Sequence, residues 1–459
     1  MLFRDAVIVL VAVVVLHLII AGPRWQMLPA YVALIIAMPI VTRPKRWLRF
    51  MVFPFVLTLL AVSVLATWAF PVFDVPEPSG NYAIGKTTVF LTDEDRLETY
   101  TEAEEDFRRL ALKVWYPTTA PETGSDSVYW SNAFLRSRAV TNATPLPWFT
   151  FTHLGQVETF SRQDAAIAAG EFPVLIYSHG LGIGWSSGNT PLLEDLASRG
   201  YIVVAIGHAF IGSATIFPDE VAYFDPATRT AMNTEPPVDV MEVYGKVKAL
   251  TDPKEQLAVY MEGMSMMPVS IKGKVDEALE TQVQDQLFVL ESLSSLKSND
   301  IDIGAHVKEN VAGVFGMSIG GSAALIACSR SDRCGAVANL DGFHPAQAGI
   351  QSRVPLMSFR RPDNLLVVEN FEQALSHAYV IEIADTTHFN FFDFTIMSPL
   401  YKRLGVLGSI DGEEMITVLR DHLGDFFDAH LKMEASDLLQ GRVSHASENV
   451  TLDKRSGAD

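Results

Sequence analysis

The chain has 459 residues, 49% of them hydrophobic, and a formal net charge of −19. That length and apolar content suffice for a large core, while the acidic balance is unsuited to nucleic acid or to electrostatic docking on anionic lipid. Up to residue 73 there are six basic residues and one acidic, leaving 29 basic and 53 acidic beyond it, a balance of −24 that reads most simply as a solvated acidic surface.

Three charge-free apolar runs open the chain, at residues 6–23, 25–42 and 50–73. As helices the first two would each be about 27 Å long, against a bilayer core of roughly 30 Å, and the third could span with tilt. Three transmembrane helices are therefore expected over 1–73. A cleaved signal peptide for the first run, or a re-entrant hairpin for the first pair, are the alternatives. Arg43, Lys45, Arg46 and Arg49 lie between the second and third runs, and only Arg24 between the first and second. Basic loops stay in the cytoplasm, so the expectation is a multi-pass cell-membrane protein with everything after Asp74 extracytoplasmic.

Residues 74–79, Pro-rich and acidic, read as a linker to a domain over 80–432. Strands are expected at 86–91 and 110–116, and loop with short helical pieces over 121–170. From Pro173 the signal sharpens. An apolar strand at 174–177 runs into Ser178-His-Gly-Leu-Gly-Ile-Gly, a helix follows at 191–199, and a strand at 201–206. Strand, helix, strand with short connections is a parallel βαβ unit. Further strands at 311–315, 336–340, 354–359 and 379–383, with an amphipathic helix at 412–431, predict a doubly wound α/β domain with a mostly parallel sheet. The stretch between the strands at 201 and 311 is too long for one crossover. Part is a helix at 275–296 with Val283, Leu287, Leu290 and Leu293 on one face. The rest, 210–274, holds Met241, Met261, Met264, Met266 and Met267 and is expected to be a lid insertion over the site. The polar tail, 433–459, is expected to be poorly ordered.

Chemistry centres on Gly316-Met317-Ser318-Ile319-Gly320. A strand-length apolar run precedes it and a helix of small residues follows, the context of a nucleophile elbow. Ser318 then needs an acid and a histidine, in that chain order. Asp341 ends the strand at 336–340, at the sheet edge where ligands bind in open α/β folds. Six histidines follow Ser318. His344 is too near Asp341 to face it from another loop. His377, His422 and His430 sit in helical pattern, and His445 is in the tail. His388 follows the strand at 379–383 and fits. Ser318 is thus the expected nucleophile, His388 the general base and acid, and Asp341 the group that orients the imidazole. The N–H groups of Ile319 and Leu181 are the expected oxyanion donors. His179 precedes Ser318 in the chain and is expected to be structural.

These residues together carry a family likeness. Gly80-Asn-Tyr-Ala-Ile-Gly, Val114-Trp-Tyr-Pro, Phe172-Pro-Val-Leu-Ile-Tyr-Ser-His-Gly-Leu-Gly, Gly316-Met-Ser-Ile-Gly-Gly, Asn339-Leu-Asp-Gly and Thr387-His-Phe-Asn-Phe-Phe-Asp-Phe resemble the opening strands, oxyanion strand, elbow, acid loop and histidine loop of the plasma-type platelet-activating factor acetylhydrolases and their bacterial relatives. The resemblance implies an α/β-hydrolase fold and a calcium-independent serine esterase. It implies Ser318, Asp341 and His388 as the triad, Leu181 and Ile319 as oxyanion donors, and short or oxidised sn-2 acyl chains of glycerophospholipids as substrate. A broad carboxylesterase or polyester hydrolase, and a non-catalytic binding protein on the same fold, are the rivals. Met317 stands where many members carry His, and Ala209-Phe210 follows His208 where the family often has a charged residue; these departures bear on substrate.

The only two cysteines, Cys328 and Cys334, close the helix after Ser318 and open the turn into the Asp341 strand. In an oxidising compartment an even, close pair is expected to bond; two buried free thiols are the alternative. No cofactor and no metal are expected: two thiols do not fill a coordination shell, and neither a phosphate-binding glycine loop nor a dinucleotide fingerprint occurs. Oligomeric state is not legible.

Overall fold

The computed structural model describes residues 2–456 except 43–45, 104, 143, 145, 235–242, 244–245, 247–248, 251, 267 and 343–350. Its centre is an 11-stranded sheet. In chain order the strands are β1 Ala83–Leu97, β2 Phe107–Thr118, β3 Ser125–Val128, β4 Glu158–Gln163, β5 Phe172–Ser178 and β6 Ile202–His208. Two short hairpins follow, β7 Ala214–Ile216 with β8 Val221–Tyr223, and β9 Lys297–Ser298 with β10 Ile301–Asp302. The sheet resumes with β11 Val307–Met317, β12 Cys334–Leu340, β13 Leu356–Arg360, β14 Ala378–Ile383 and β15 Val450–Arg455.

Across the sheet the order is β15-β14-β13-β12-β11-β5-β6-β2-β1-β4-β3. The six strands from β14 to β6 run parallel, and β2 and β15 flank them antiparallel. The inner strands read as continuous apolar runs because helices cover both faces. Leu175, Tyr177, Val203 and Phe315 pack with the helices Thr190–Ser198 and Gly412–Leu431 on one face. On the other, Val174, Ile176, Val204 and Val314 pack with the helices Val269–Ser292 and Ile319–Arg330. The carboxyl ends of β5, β11, β12 and β14 therefore converge on one edge, where the site lies.

Three expectations are corrected. The N-terminal helices are Leu2–Ile20, Leu28–Thr42 and Arg46–Ala69. Among the described residues only the segment Phe50–Ala69 is long and apolar enough to cross a membrane; the apolar parts of the other two, Ile8–Ile20 and Trp25–Met38, are shorter. At 1.5 Å per residue they reach only about 20 Å, short of roughly 30 Å. Arg4 and Asp5 charge the first turn of the first helix, which ends before Gly22 and Pro23, and a separate 3-10 turn covers Trp25–Met27. Next, the tail beyond residue 433 is not structureless: β15 pairs with β14 from Val450 to Arg455 and ends the sheet. Third, the stretch 121–170 contributes strands as well as the helix Ala133–Thr141, since β4 pairs with β1 and β3 with β4.

The apolar helices are joined to one another and, through Trp25, to the domain. Ala30 N–H donates to Ser63 Oγ at 2.9 Å, Trp25 Nε1 to the Thr150 carbonyl at 3.2 Å, and Gln26 Nε2 to the Phe70 carbonyl at 2.9 Å. Of the expected lid, β7–β8 and the helices Pro226–Thr234 and Pro253–Ser265 are described; Met241 and Met267 lie outside the described residues, as does His344.

Cys328 and Cys334 are bonded, with Cα atoms 5.2 Å apart, and link the end of the helix after Ser318 to the first residue of β12. Cys334→Ser is expected to lower the unfolding free energy by at most about 2–3 kcal/mol on chain-entropy grounds. Chemical denaturation reads it, and an unchanged midpoint under non-reducing conditions would mean that the bridge is not formed in solution.

Candidate active site

Ser318 stands between β11 and the helix Ile319–Arg330 with φ 59° and ψ −128°. A residue held there is strained, and the turn closes only because its neighbours lack a Cβ. A Cβ on Gly320 would sit 2.3 Å from the Ser178 carbonyl oxygen, and one on Gly316 2.4 Å from the Gly320 carbonyl carbon. Gly320→Ala is therefore expected to disturb the elbow and β5 together. It should lower both soluble yield and turnover, and a variant as active and stable as the parent would show that the turn is not so tightly closed.

The three expected residues meet. Ser318 Oγ lies 3.0 Å from His388 Nε2, and His388 Nδ1 lies 2.7 Å from Asp341 Oδ2. With Asp341 ionised, Nδ1 carries the proton and Nε2 accepts from the serine hydroxyl. Asp341, at φ 50° after β12, is fully buried. Its Oδ1 accepts from Asn364 Nδ2 at 2.8 Å and from Arg361 N–H at 3.2 Å, and its Oδ2 also accepts from the Arg361 guanidinium. Burial alone would raise its pKa, but the His388 hydrogen bond, the Arg361 charge and the Asn364 amide outweigh burial and hold it below the ordinary value. His388 sits on a single helical turn, His388–Phe391, closed by reciprocal Thr387 and Asn390 bonds. Thr387 Oγ1 further ties that turn to the Val406 carbonyl at 2.7 Å.

The other described histidines after Ser318 are elsewhere. His422 Nδ1 donates to the Val418 carbonyl within its own helix at 2.8 Å, His430 approaches the Tyr379 hydroxyl at 3.2 Å, and His445 approaches Asp421 at 3.4 Å. His377 does not lie on a helix, contrary to its pattern, but in the loop before β14. His179 has the expected structural role: its Nδ1–H donates to the Gly180 carbonyl at 2.8 Å, and its Nε2 accepts from His208 N–H at 3.3 Å.

The two expected oxyanion donors lie on segments next to Ser318. A Cβ on Gly180 would lie 3.3 Å from Ser318 Cβ, so the loop after β5 runs directly beside the serine and brings Leu181 to it. Ile319 opens its helix, and the first N–H of a helix has no partner within it. The N–H groups of Gly182 and Ile183 are spent on the Ile211 and Leu181 carbonyls.

Sequence reasoning missed what holds this loop. The helix Val269–Ser292 carries Gln282, Asp285 and Gln286, spaced three and four apart on one turn face and all fully buried. Gln282 Nε2 donates to the His179 carbonyl at 3.1 Å; Gln286 Nε2 donates to Ser178 Oγ at 2.8 Å and to the Gly320 carbonyl at 3.3 Å. Asp285 accepts from His208 Nδ1 at 2.8 Å, and His208 Nε2 lies 2.9 Å from Ser178 Oγ. Arg108 Nη2 and Nε also donate to Asp285, at 2.7 and 3.1 Å, and Arg96 Nη2 at 2.6 Å. One polar helix face thus fixes both the loop that bears Leu181 and the turn that bears Ile319.

A cavity of about 330 Å³ opens onto Ser318 and His388, with walls that include Leu181, Phe224, Met232, Phe389 and Phe392 and, among the described residues, a single guanidinium or ammonium group, Arg229. Phe224 and Met232 come from the inserted segment. A serine hydroxyl paired to a half-buried histidine that a buried aspartate holds can attack a carbonyl, and backbone N–H groups beside it can hold the resulting oxyanion.

Comparison with known proteins agrees with this geometry. The family model described as platelet-activating factor acetylhydrolase, isoform II, matches residues 68–450. A platelet-activating factor acetylhydrolase of Cavia porcellus is 23% identical over 377 residues, which cover 78% of each chain. Among solved structures, a ferulic acid esterase from Streptomyces cinnamoneus has a similar fold, with a TM-score of 0.59 at 22% identity over 83% of this chain and 99% of that one.

Proposed function

The chain belongs to the platelet-activating factor acetylhydrolase, isoform II, family and is a carboxylic ester hydrolase of the serine type; on that premise we propose that its substrates are glycerophospholipids with short or oxidised sn-2 acyl chains. The observation that carries this is the apolar cavity leading to Ser318 and His388. Its volume is at the small end of ligand sites, which suits a short acyl group, and Arg229 in its wall suits a phosphodiester.

In this reading Ser318 Oγ attacks the ester carbonyl while His388 Nε2 takes its proton. The Leu181 and Ile319 N–H groups receive the oxyanion. Collapse breaks the bond to the alcohol, which leaves with the proton from His388, and water then repeats the cycle on the acyl-enzyme. Asp341 stabilises the imidazolium throughout. No metal or cofactor takes part in this scheme.

We also propose that the protein is anchored through the Phe50–Ala69 segment with its catalytic domain extracytoplasmic. The segment exposes Phe50, Met51, Val64 and Leu65, an arrangement that water disfavours and hydrocarbon accepts. Trp47 and Trp68 stand at its two ends, as in interfacial aromatic belts. A reporter fused after Leu431 that is active only in the cytoplasm would reverse this topology.

A panel of 2-acetyl phosphatidylcholine, long-chain phosphatidylcholine, p-nitrophenyl esters and polyester tests the substrate. The expected result is the highest kcat/KM on the 2-acetyl phospholipid, and Arg229→Met is expected to raise KM for it about tenfold, the loss of one charge-assisted contact, with p-nitrophenyl acetate unaffected. Hydrolysis of the simple esters alone would favour a broad carboxylesterase.

A further inference from the structure

A second cavity, of about 220 Å³, shares no wall residue with the ester-cleaving pocket. It lies over the β1–β2–β6 part of the sheet, where Thr88 faces Lys113 and Phe90 faces Ala111 across the ladder. Lys113 and Arg136 reach into it, 7% exposed each. Lys113 Nζ has only Ser187 Oγ, at 3.3 Å, and Arg136 spends its Nε on the Ser131 carbonyl at 3.1 Å, which leaves both terminal nitrogens of its fork without a hydrogen bond among the described residues. Among the described residues no carboxylate lines the cavity; hydroxyl-bearing Thr88, Ser131, Ser186 and Thr215 do. A third buried cation, Lys86, lies nearby, and Glu194, which faces Lys86, is already bonded to the Phe160 and Ser161 N–H groups at 3.1 Å.

We propose that this cavity is a binding site for a phosphate-class oxyanion, distinct from the ester-cleaving pocket. Two cations withdrawn from water without a partner are strongly unfavourable, and an anion between them restores the balance. A planar two-nitrogen fork, an ammonium and several hydroxyls together offer more donors than a carboxylate can accept, and suit a phosphoryl group. The helix Ala133–Thr141 begins at the cavity wall, at Ser131 and Asn132, with no side-chain cap on its first N–H groups, which adds positive potential at the same place. Burial, then the charges of Arg136 and Lys86, push the Lys113 ammonium well below its usual range, and burial lowers Arg136 to about 10.

The test is titration of the purified full-length protein in detergent with inorganic phosphate and with sn-glycerol 3-phosphate, read by calorimetry and thermal midpoint. Saturable binding is expected, at least about tenfold weaker in Lys113→Met and in Arg136→Met, with p-nitrophenyl acetate turnover unchanged in both. Arg136→Lys, which keeps the charge and the fold's electrostatics but loses the fork, is expected to bind more weakly than the parent. Binding of free phosphate would mark a soluble anion as the ligand, and binding of the glycerol ester alone a lipid headgroup; both support the site. Binding must also persist in Ser318→Ala. Absence of binding by both probes, equal affinity in all Lys113 and Arg136 variants, or loss of binding in Ser318→Ala would overturn the proposal.

Discussion

Ser318→Ala is expected to lower kcat for ester hydrolysis by roughly 10⁴–10⁶ while the thermal midpoint and KM stay near those of the parent. The hydroxyl makes one hydrogen bond, to His388 Nε2, so its loss removes the nucleophile without opening a cavity. The backbone at this position is already in the left-handed half of conformational space, and alanine meets the same strain there as serine. The proposed Leu181 and Ile319 donors are untouched by the change, so some activity over water is expected to survive. A variant within tenfold of the parent would show that another group attacks the ester.

Asp285→Ala is expected to have the largest effect on stability, a loss of about 3 kcal/mol, because it leaves the buried Arg108 guanidinium, whose Nη1 donates to Glu98 Oε2 at 2.8 Å, with Nη2 and Nε unpaired and Glu98 as its one carboxylate among the described residues. Arg108 and Asp285 are each about 1% exposed or less and Glu98 is 4% exposed, so water cannot replace the lost partner. The same change frees His208, and with it the Ser178 hydroxyl that Gln286 also grips. The loop bearing Leu181 is therefore expected to lose its setting, at a cost of about 10² in kcat, the scale of one oxyanion donor. Asp285 also sets an acid limit. Burial would raise its pKa, but the Arg108 and His208 charges and hydrogen bonds hold it far below the ordinary carboxylate value. A depressed folded-state pKa contributes stability that is complete above the unfolded value, about 4, and is lost as pH falls below it. Asp285→Ala should accordingly flatten the fall in stability between pH 4 and 2. Denaturation and kinetics together read this result; unchanged stability and unchanged kcat would mean that the network neither supports the fold nor sets the loop.

The strands of the parallel sheet were legible because each is an apolar run bounded by glycine, proline or a polar turn, as at β5 and β6. Ser318, Asp341 and His388 are legible because each ends or follows such a strand, and of the six histidines that satisfy the chain order only His388 directly follows a strand in a loop of its own. The supporting residues were not. Arg361 and Asn364 sit in an aperiodic loop and reach Asp341 only through the fold. Gln282, Asp285 and Gln286 did carry a signal, since three polar residues at helical spacing beside the Val283–Leu287–Leu290 stripe leave little of that helix for solvent; the apolar stripe alone was read. The N-terminal runs misled because absence of charge was counted as helix length, although Gly22 and Pro23 end the first helix and a 3-10 turn opens the second run. β15 escaped because Val450 and Leu452 are the only apolar residues in an exposed edge strand, too few to show a period of two.

The most direct test of the catalytic account is to label the full-length protein with a fluorophosphonate and locate the adduct by peptide mass analysis. One adduct is predicted, on Ser318, formed in step with loss of esterase activity and absent from Ser318→Ala. Full activity without an adduct, or inactivation with the adduct on Ser178 or Ser322, would contradict it.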